Sequence, residues 1–156
     1  MTAIDYAVLL ARIVRASNRI KALLLPRYGE NFTVGVGTEQ DRVDFQRSAP
    51  YALFFPMDED ASPERTSYTV RMEIGICDEA LSELGGVPVI SCYEYFSSLV
   101  PLSLRQIAEQ LPGMVEATVH LQNYRTVYDQ EAFPLVKAIV DIEITELTPV
   151  GRRSVI

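Results

Sequence analysis

The side chains that most often carry acid–base chemistry are sparse in this sequence. His120 is the only histidine, and histidine is the usual general base near neutral pH. Its alternate neighbours Thr118 and Gln122 are uncharged, so the pattern favours a half-exposed histidine on a strand over a catalytic base. No serine lies in the Gly-x-Ser-x-Gly pentapeptide that the strained turn of a nucleophile elbow requires. The sequence therefore predicts no catalytic residue and no cofactor.

The residues that could ligate a metal are also poorly arranged. A metal site needs several ligands that converge on one point, but Cys77, Cys92 and His120 follow no zinc-ribbon spacing, and we expect both cysteines to be buried or half-buried free thiols. Oxygen donors alternate along Asp58, Asp60, Ser62 and Glu64 as in a calcium loop. The glycine and the closing glutamate of such a loop are missing, and Pro63 stiffens the chain. We expect no metal, and an exposed acidic loop over residues 57–65.

Two further groups of side chains have structural interpretations. Asp141 and Glu143 occupy one face of a predicted strand and could share acid and base roles, but the polar face of a sheet with Arg71 opposite explains them more simply. An aromatic cluster of Tyr93, Tyr95 and Phe96 has no lysine or arginine beside it, so a place in the core or in an interface is favoured over stacking on nucleic-acid bases.

Two long segments of alternating apolar and polar residues must position these side chains. They span Thr66–Cys77 and Val136–Leu147, and a period of two predicts a half-buried β-strand for each. Shorter strands are expected at Asn31–Val36, Asp41–Phe45, Tyr51–Phe55, Val87–Cys92 and Val115–Tyr124. The last of these should pair with the final strand.

Three helices are expected as well. Thr2 or Asp5 can cap an amphipathic helix that runs to about Leu25, with Pro26 just past its end. Ser103 can cap a shorter helix from about Leu102 to Leu111, and residues 78–84 are expected to form a short helix that Gly85 and Gly86 close. This order predicts the α+β class, with an antiparallel or mixed β-sheet and the long N-terminal helix and a second shorter helix packed on one face. The other face of the sheet would then be free.

Composition limits the function classes. The chain of 156 residues fits a single domain, residues 1–156. Its formal net charge of −7 argues against a protein that grips nucleic acid by its phosphates. No apolar stretch reaches the roughly 20 residues needed to span a bilayer, and Asp5 stands where a signal peptide would carry a basic residue. We expect a protein made in the cytoplasm that does not bind membranes.

A row of arginines is the clearest surface feature of the predicted N-terminal helix. Arg12, Arg15 and Arg19 recur at helical spacing on a face different from the apolar one. Solvated side chains are the plain interpretation of this stripe, and a docking face for an acidic neighbour is the more specific one.

The last strand pair carries a family likeness. Residues 128–134, which end in Phe133 and Pro134, lead into the long alternating strand and resemble the closing part of tail terminator and tail-completion proteins of tailed bacteriophages. The cluster Pro50–Pro56 and the helix Ile4–Leu25 resemble earlier parts of those proteins, so the likeness covers most of the chain in element order.

This resemblance implies a structural virion subunit of a head–tail joining family. It implies a homo-oligomeric ring, as a hexamer, at the head-proximal end of a phage or phage-like tail, which contacts tail tube and neck or connector proteins. DNA would pass through the lumen without specific binding. It implies no catalytic residue, and we expect ring contacts between Arg12, Arg15 and Arg19 of one copy and Asp58, Glu59 and Asp60 of the next.

Two other functions stay open at this point. One is a non-catalytic protein-binding module that uses the sheet face or the acidic segment. The other is a small-molecule enzyme with a pocket under the helices, which would use residues such as His120 or Tyr124.

Overall fold

The computed structural model describes residues 1–37 and 49–147. The described elements are α1 (Ala3–Ala16), α2 (Asn18–Tyr28), β1 (Thr33–Val36), β2 (Tyr51–Ala61), β3 (Arg65–Cys77), β4 (Leu81–Leu84), β5 (Val87–Ile90), α3 (Cys92–Gln110), a 3₁₀ turn (Leu111–Gly113), β6 (Thr118–His120), β7 (Thr126–Asp129) and β8 (Leu135–Leu147). The strand predicted at Asp41–Phe45 lies outside the described residues.

The N-terminal segment forms two helices where one was predicted. Thr2 caps α1 as expected, in a capping box in which its side chain accepts from the Asp5 amide and the Asp5 carboxylate accepts from the Thr2 amide. The chain leaves helical geometry at Ser17, whose hydroxyl accepts from the Ile20 amide and caps α2. Pro26 lies inside α2, which ends at Tyr28 and is capped by Gly29 with a φ of +65°. The prediction that Pro26 follows the helix end was therefore wrong.

Helix α3 is continuous and longer than expected. It spans 19 residues and contains Pro101, so the prediction of a shorter helix that begins near Leu102 was wrong. Ser103 is buried within it and donates to the Leu99 carbonyl at 2.7 Å, so it does not cap the helix. A proline removes one backbone donor, but the buried neighbours Leu99, Val100 and Leu104 hold the helix against the core.

The main sheet is mixed, with the order β1–β2–β3–β8–β6 and with β7 also paired to β8. Only β1 and β2 are parallel; the other described pairs are antiparallel. The two long strands pair along their whole length, from Arg65 opposite Leu147 to Cys77 opposite Leu135. The strand predicted over Val115–Tyr124 is confirmed only at Thr118–His120, and the chain pairs with β8 again at β7.

One side of this sheet, the inner face, supplies the core. It carries Tyr68, Val70, Met72, Ile74 and Ile76 of β3 and Val136, Ala138, Val140, Ile142 and Ile144 of β8, all buried. These residues form one cluster with apolar side chains of all three described α-helices, including Leu10, Ile20 and Phe96. The α+β class, the alternation of both long strands and the packing of helices on one face are confirmed.

The expected loop at residues 57–65 is a hairpin instead. Strand β2 continues through the acidic residues to Ala61, with a register irregularity between Pro56 and Asp58. The turn between the two strands is short and is closed by Ser62, whose amide and hydroxyl both donate to the Arg65 carbonyl. A long partner strand thus overrides the low β propensity of the acidic residues.

The short helix predicted over residues 78–84 is also wrong. Leu81–Leu84 pairs with Val87–Ile90 as a two-stranded hairpin, which we call the β4–β5 hairpin. Gly85 and Gly86 form its turn with φ values of +58° and +80°. Two successive residues with positive φ are what a two-residue type I′ hairpin turn requires.

The opposite side of the sheet, the outer face, is only partly free. Tyr51, Leu53 and Leu135 share this side and are all buried. The expectation of an entirely free outer face was therefore wrong at the end of the sheet where β2 begins. The exposed part of the face begins near Arg71 and extends toward Asp60.

Candidate interaction surfaces

Three acids occupy an exposed stretch of β2 that we call the acidic edge, Asp58–Asp60. Strand β1 pairs with β2 only from Tyr51 to Phe54, so among the described strands β3 is the sole neighbour of the acidic edge. Asp58 lies opposite Thr69 and Asp60 opposite Ser67, which places both acids on the outer face. Glu59 lies opposite Tyr68 and therefore belongs to the inner side.

Glu59 has a partner within the chain. Its carboxylate accepts a hydrogen bond of 2.5 Å from the Ala3 amide, one of the backbone donors that a helix start leaves unpaired. A carboxylate there also interacts favourably with the helix dipole. Glu59 thus ties the acidic edge to the first turn of α1, a role that the sequence pattern did not reveal.

Two tyrosines strengthen the same junction. Tyr6 donates to Glu146 at 2.6 Å, and Tyr68 donates to the Met1 carbonyl at 3.0 Å. Burial, followed by the hydrogen bond to Glu146, raises the pKa of Tyr6 well above its ordinary value. The hydroxyl therefore stays protonated and acts as a permanent donor. The acidic edge is held firmly at the N-terminal end of α1.

Two of the predicted arginines border a groove at the other end of α1. This arginine groove has a volume of about 380 Å³ and lies between the α1–α2 junction and the C-terminal end of α3. Its polar lining comprises Arg12, Ser17, Asn18, Arg19, Gln106, Glu109 and Gln110. Ser17 donates to the Gln106 side chain at 3.4 Å beneath it. Arg15 is exposed but does not line the groove.

The arginines and the acidic edge do not meet within one copy. Helix α1 has 14 residues, which corresponds to about 20 Å at 1.5 Å per residue. Glu59 binds at its first turn, whereas Arg12 and Arg15 lie on its last turns and Arg19 beyond the break. Within the described part of the chain, none of the three arginines forms an ion pair.

The exposed outer face also contains a cleft. A space of about 430 Å³ is lined by Arg71, Asn123, Tyr124, Arg125, Val127, Ile139 and Asp141. Arg71 donates to both carboxylate oxygens of Asp141, at 2.9 and 3.3 Å, as the sequence pattern indicated. That hydrogen bonding raises the pKa of Arg71. The arginine and the acid therefore form an ion pair on the outer face.

The sole histidine lies in an adjoining depression. His120 is exposed, and its Nε2 lies 2.8 Å from the Thr145 hydroxyl. The depression also contains Asp141 and Glu143, but no described carboxylate makes a hydrogen bond to the imidazole. Among residues 1–37 and 49–147, no group of three or more His, Cys, Asp or Glu side chains is placed to hold a metal ion.

Cys92 is buried and Cys77 is half-buried. Burial raises the pKa of the Cys92 thiol to about 11. A thiol with so high a pKa is almost fully protonated at neutral pH, and the thiolate is the reactive form. Cys92 is therefore a core residue rather than a nucleophile.

The β4–β5 hairpin is a surface that the sequence analysis missed. Leu81, Leu84 and Val87 are 67%, 53% and 57% exposed. At its base the Asp78 carboxylate accepts from Arg27 at 2.6 Å and from Tyr28 at 2.9 Å. The glycine pair between two apolar runs was the signal for this hairpin.

Comparison with known proteins adds no family. No protein-family model matches the chain, and no curated protein matches its sequence significantly. In the described part of the chain, no helix has the length and apolar character needed to cross a membrane.

Proposed function

We propose that this protein is a structural subunit that assembles head to tail into a closed ring, in the role of the tail terminator or tail-completion proteins of tailed bacteriophages. The observation that carries the proposal is the separation of charge along α1. The acidic edge lies at one end of the helix and Arg12, Arg15 and Arg19 lie at the other. Opposite charges at the two ends of one copy can form ion pairs with those of a second copy.

Contact between two different patches is a heterologous interface, which generates a ring when the rotation between copies closes. The acidic edge also carries features that oppose pairing with a foreign strand. Pro56, the register irregularity after it and the charges of Asp58 and Asp60 are all devices that protect exposed sheet edges. Copies would therefore associate through side chains and not by extending the sheet, which favours a discrete assembly over a fibre.

The remaining parts of the proposal follow from the resemblance and the charge. The ring would be a hexamer within a virion, between tail tube and neck or connector proteins. A net charge of −7 per copy suits a channel through which DNA slides without being held, because tight binding to phosphates requires clustered basic residues.

Light scattering on the purified protein, coupled to size-exclusion chromatography, tests the proposal directly. We expect particles several times heavier than the 17.5 kDa subunit, formed either by the protein alone or on addition of purified tail tubes. Negative-stain micrographs should show a ring with a central hole. A protein that stays monomeric at all concentrations and with tubes present would contradict the proposal.

A non-catalytic protein-binding module is the second candidate, and the exposed β4–β5 hairpin favours it. An isolated two-stranded hairpin is marginally stable in water, yet this one is anchored at its base and presents three apolar side chains. Such a module would remain a monomer in the light-scattering experiment, so the same measurement separates the two candidates.

A further inference from the structure

We infer that the acidic edge of one copy inserts into the arginine groove of the next, with Asp58 and Asp60 as the inserted carboxylates and Arg12 and Arg19 as their partners. The inference rests on the proposed ring and defines its contact. It also makes a distinction that the sequence could not make: Arg15 and Glu59 lie outside the contact.

The geometry of the two surfaces is compatible. Asp58 and Asp60 are two residues apart on one side of a strand, a distance of about 7 Å. Arg12 lies on α1 and Arg19 on α2, on the two sides of the break at Ser17, and both line the same groove. Their long side chains can therefore reach two neighbouring carboxylates. Asp58 and Asp60 project to the same side, whereas Glu59 points to the other and is bound to Ala3.

The groove is chemically suited to carboxylates. Arginine presents a planar fork of donors that matches a carboxylate, and two arginines face the same space. The side-chain amides of Asn18, Gln106 and Gln110 supply further donors. Glu109 is the one acid in the lining, so the groove keeps a net charge of +1, from two arginines and one glutamate.

Glu59 is excluded for an energetic reason. Its carboxylate satisfies the Ala3 amide at the start of α1. Withdrawing it to reach a second copy would leave that donor without its partner, which is unfavourable for a buried polar group. Asp58 and Asp60 carry no such cost, since no hydrogen bond or ion pair within the described residues engages them.

Charge reversal in both surfaces tests the inference. Arg12→Glu/Arg19→Glu and Asp58→Lys/Asp60→Lys should each raise the protein concentration at which half of the chains are assembled by at least tenfold. Mixing the two variants should restore assembly, because each reversed surface then meets its complement and the copies alternate around a ring. Arg15→Glu and Glu64→Lys are matched controls, exposed and outside the contact, and should shift the midpoint less than about twofold.

The outcomes separate this inference from the proposed function. If the wild type forms rings but Arg15→Glu disrupts them as strongly as the groove variant, or mixing fails to restore them, the assigned contact is wrong and the ring proposal stands. If the wild type stays monomeric with tail tubes present, both fail. Thermal melts of each variant should match the wild type, since the altered side chains are exposed. A variant that melts earlier is replaced by its neutral counterpart, Arg12→Gln/Arg19→Gln or Asp58→Asn/Asp60→Asn. We expect these neutral variants to lose assembly less strongly, and an unchanged assembly midpoint would overturn the inference.

Discussion

Asp78 joins helix α2 to the base of the β4–β5 hairpin through one carboxylate. It accepts hydrogen bonds from Arg27 and Tyr28 of α2 and from the Ala80 amide at the base of the β4–β5 hairpin. The hydrogen bond from Arg27 is the largest cause that holds the pKa of Asp78 below its ordinary value of 3.8, against the opposing effect of burial. The charged form of Asp78 therefore stabilises the fold.

Replacing this carboxylate should have an effect that depends on pH. We expect Asp78→Asn to lower the free energy of unfolding by about 1–3 kcal/mol at pH 7, because the charged Arg27 and the Tyr28 hydroxyl are left with a weaker acceptor. A group whose pKa is lowered in the folded state contributes its full stabilisation above its unfolded-state pKa. This stabilisation is lost as the pH falls through the folded-state pKa. Urea unfolding at pH 7 and pH 3 should show a smaller difference from the wild type at pH 3.

The exposed acid Glu83 offers a control on the same hairpin, and Glu83→Gln should change the stability by less than about 0.5 kcal/mol at either pH. A deficit of Asp78→Asn that stays the same at pH 3 would contradict the electrostatic interpretation.

Gly75 is required by the side chain of Tyr51. The two residues are cross-strand neighbours, and a Cβ atom at position 75 would overlap the tyrosine ring. We expect Gly75→Ala to cost about 1–3 kcal/mol, as overpacking usually does. Gly113→Ala is the control, because no atom lies within 4 Å of the added methyl group.

A double-mutant cycle identifies the cause of that cost. In a Tyr51→Leu background the ring is absent, so Gly75→Ala should cost clearly less than in the wild type. Denaturant midpoints of the four proteins give the interaction energy. Equal costs in the two backgrounds would show that the ring does not determine the need for glycine.

At the scale of elements, the strands were predictable where one face is buried over many residues. Val70 and Val140 are buried while their neighbours Arg71 and Asp141 are on the outer face, so the sequence itself records the alternation. The cap of α1 at Thr2 was predictable as well, because capping is a local interaction. Local signals and long periodic patterns need no knowledge of the rest of the fold.

The errors arose where a distant partner decides the structure. Ser17 lies on the buried side of the predicted N-terminal helix, so the pattern does not show that its hydroxyl caps a second helix and contacts Gln106. Proline usually breaks a helix, so Pro101 predicts a break. Helix α3 is nevertheless continuous, because the neighbours of Pro101 pack against the core. For the candidate contact, the spacing of the arginines predicted that they are exposed. The spacing did not predict the groove beside Arg12 and Arg19, because α3 forms the opposite wall of that groove.

The register of β8 gives the sharpest test at this scale. Ile142 is buried on the inner face and Glu143 is exposed on the outer one. Ile142→Asp should unfold the protein or lower its melting temperature severely, because it buries an unpaired charge. Glu143→Ser should be nearly silent. Thermal melts that ranked the two variants in the reverse order would mean a register wrong by one residue.

At the scale of the whole molecule, the features that can meet another copy lie at opposite ends of long elements. Strand β3 spans 13 residues, about 40 Å in extended conformation. Its first residues lie beside the acidic edge, and its last residue precedes Asp78 and the β4–β5 hairpin. A subunit with different surfaces at the two ends of its long elements is suited to head-to-tail association, because like surfaces need not meet.

Such an assembly should respond to salt in two opposite ways. Each copy carries a net charge of −7, and at 0.01 M salt, where the Debye length is about 30 Å, whole copies repel one another. At about 0.15 M salt this repulsion is largely screened, whereas contacts between arginine and carboxylate at a few ångströms survive. Near 1 M salt the Debye length falls to about 3 Å and exposed pairs weaken as well.

We therefore expect the assembled fraction, measured by light scattering, to pass through a maximum near physiological salt while the melting temperature of the subunit changes little. A fraction that rises steadily up to 1 M salt would instead mean that exposed apolar side chains, such as Leu81, Leu84 and Val87, hold the copies together.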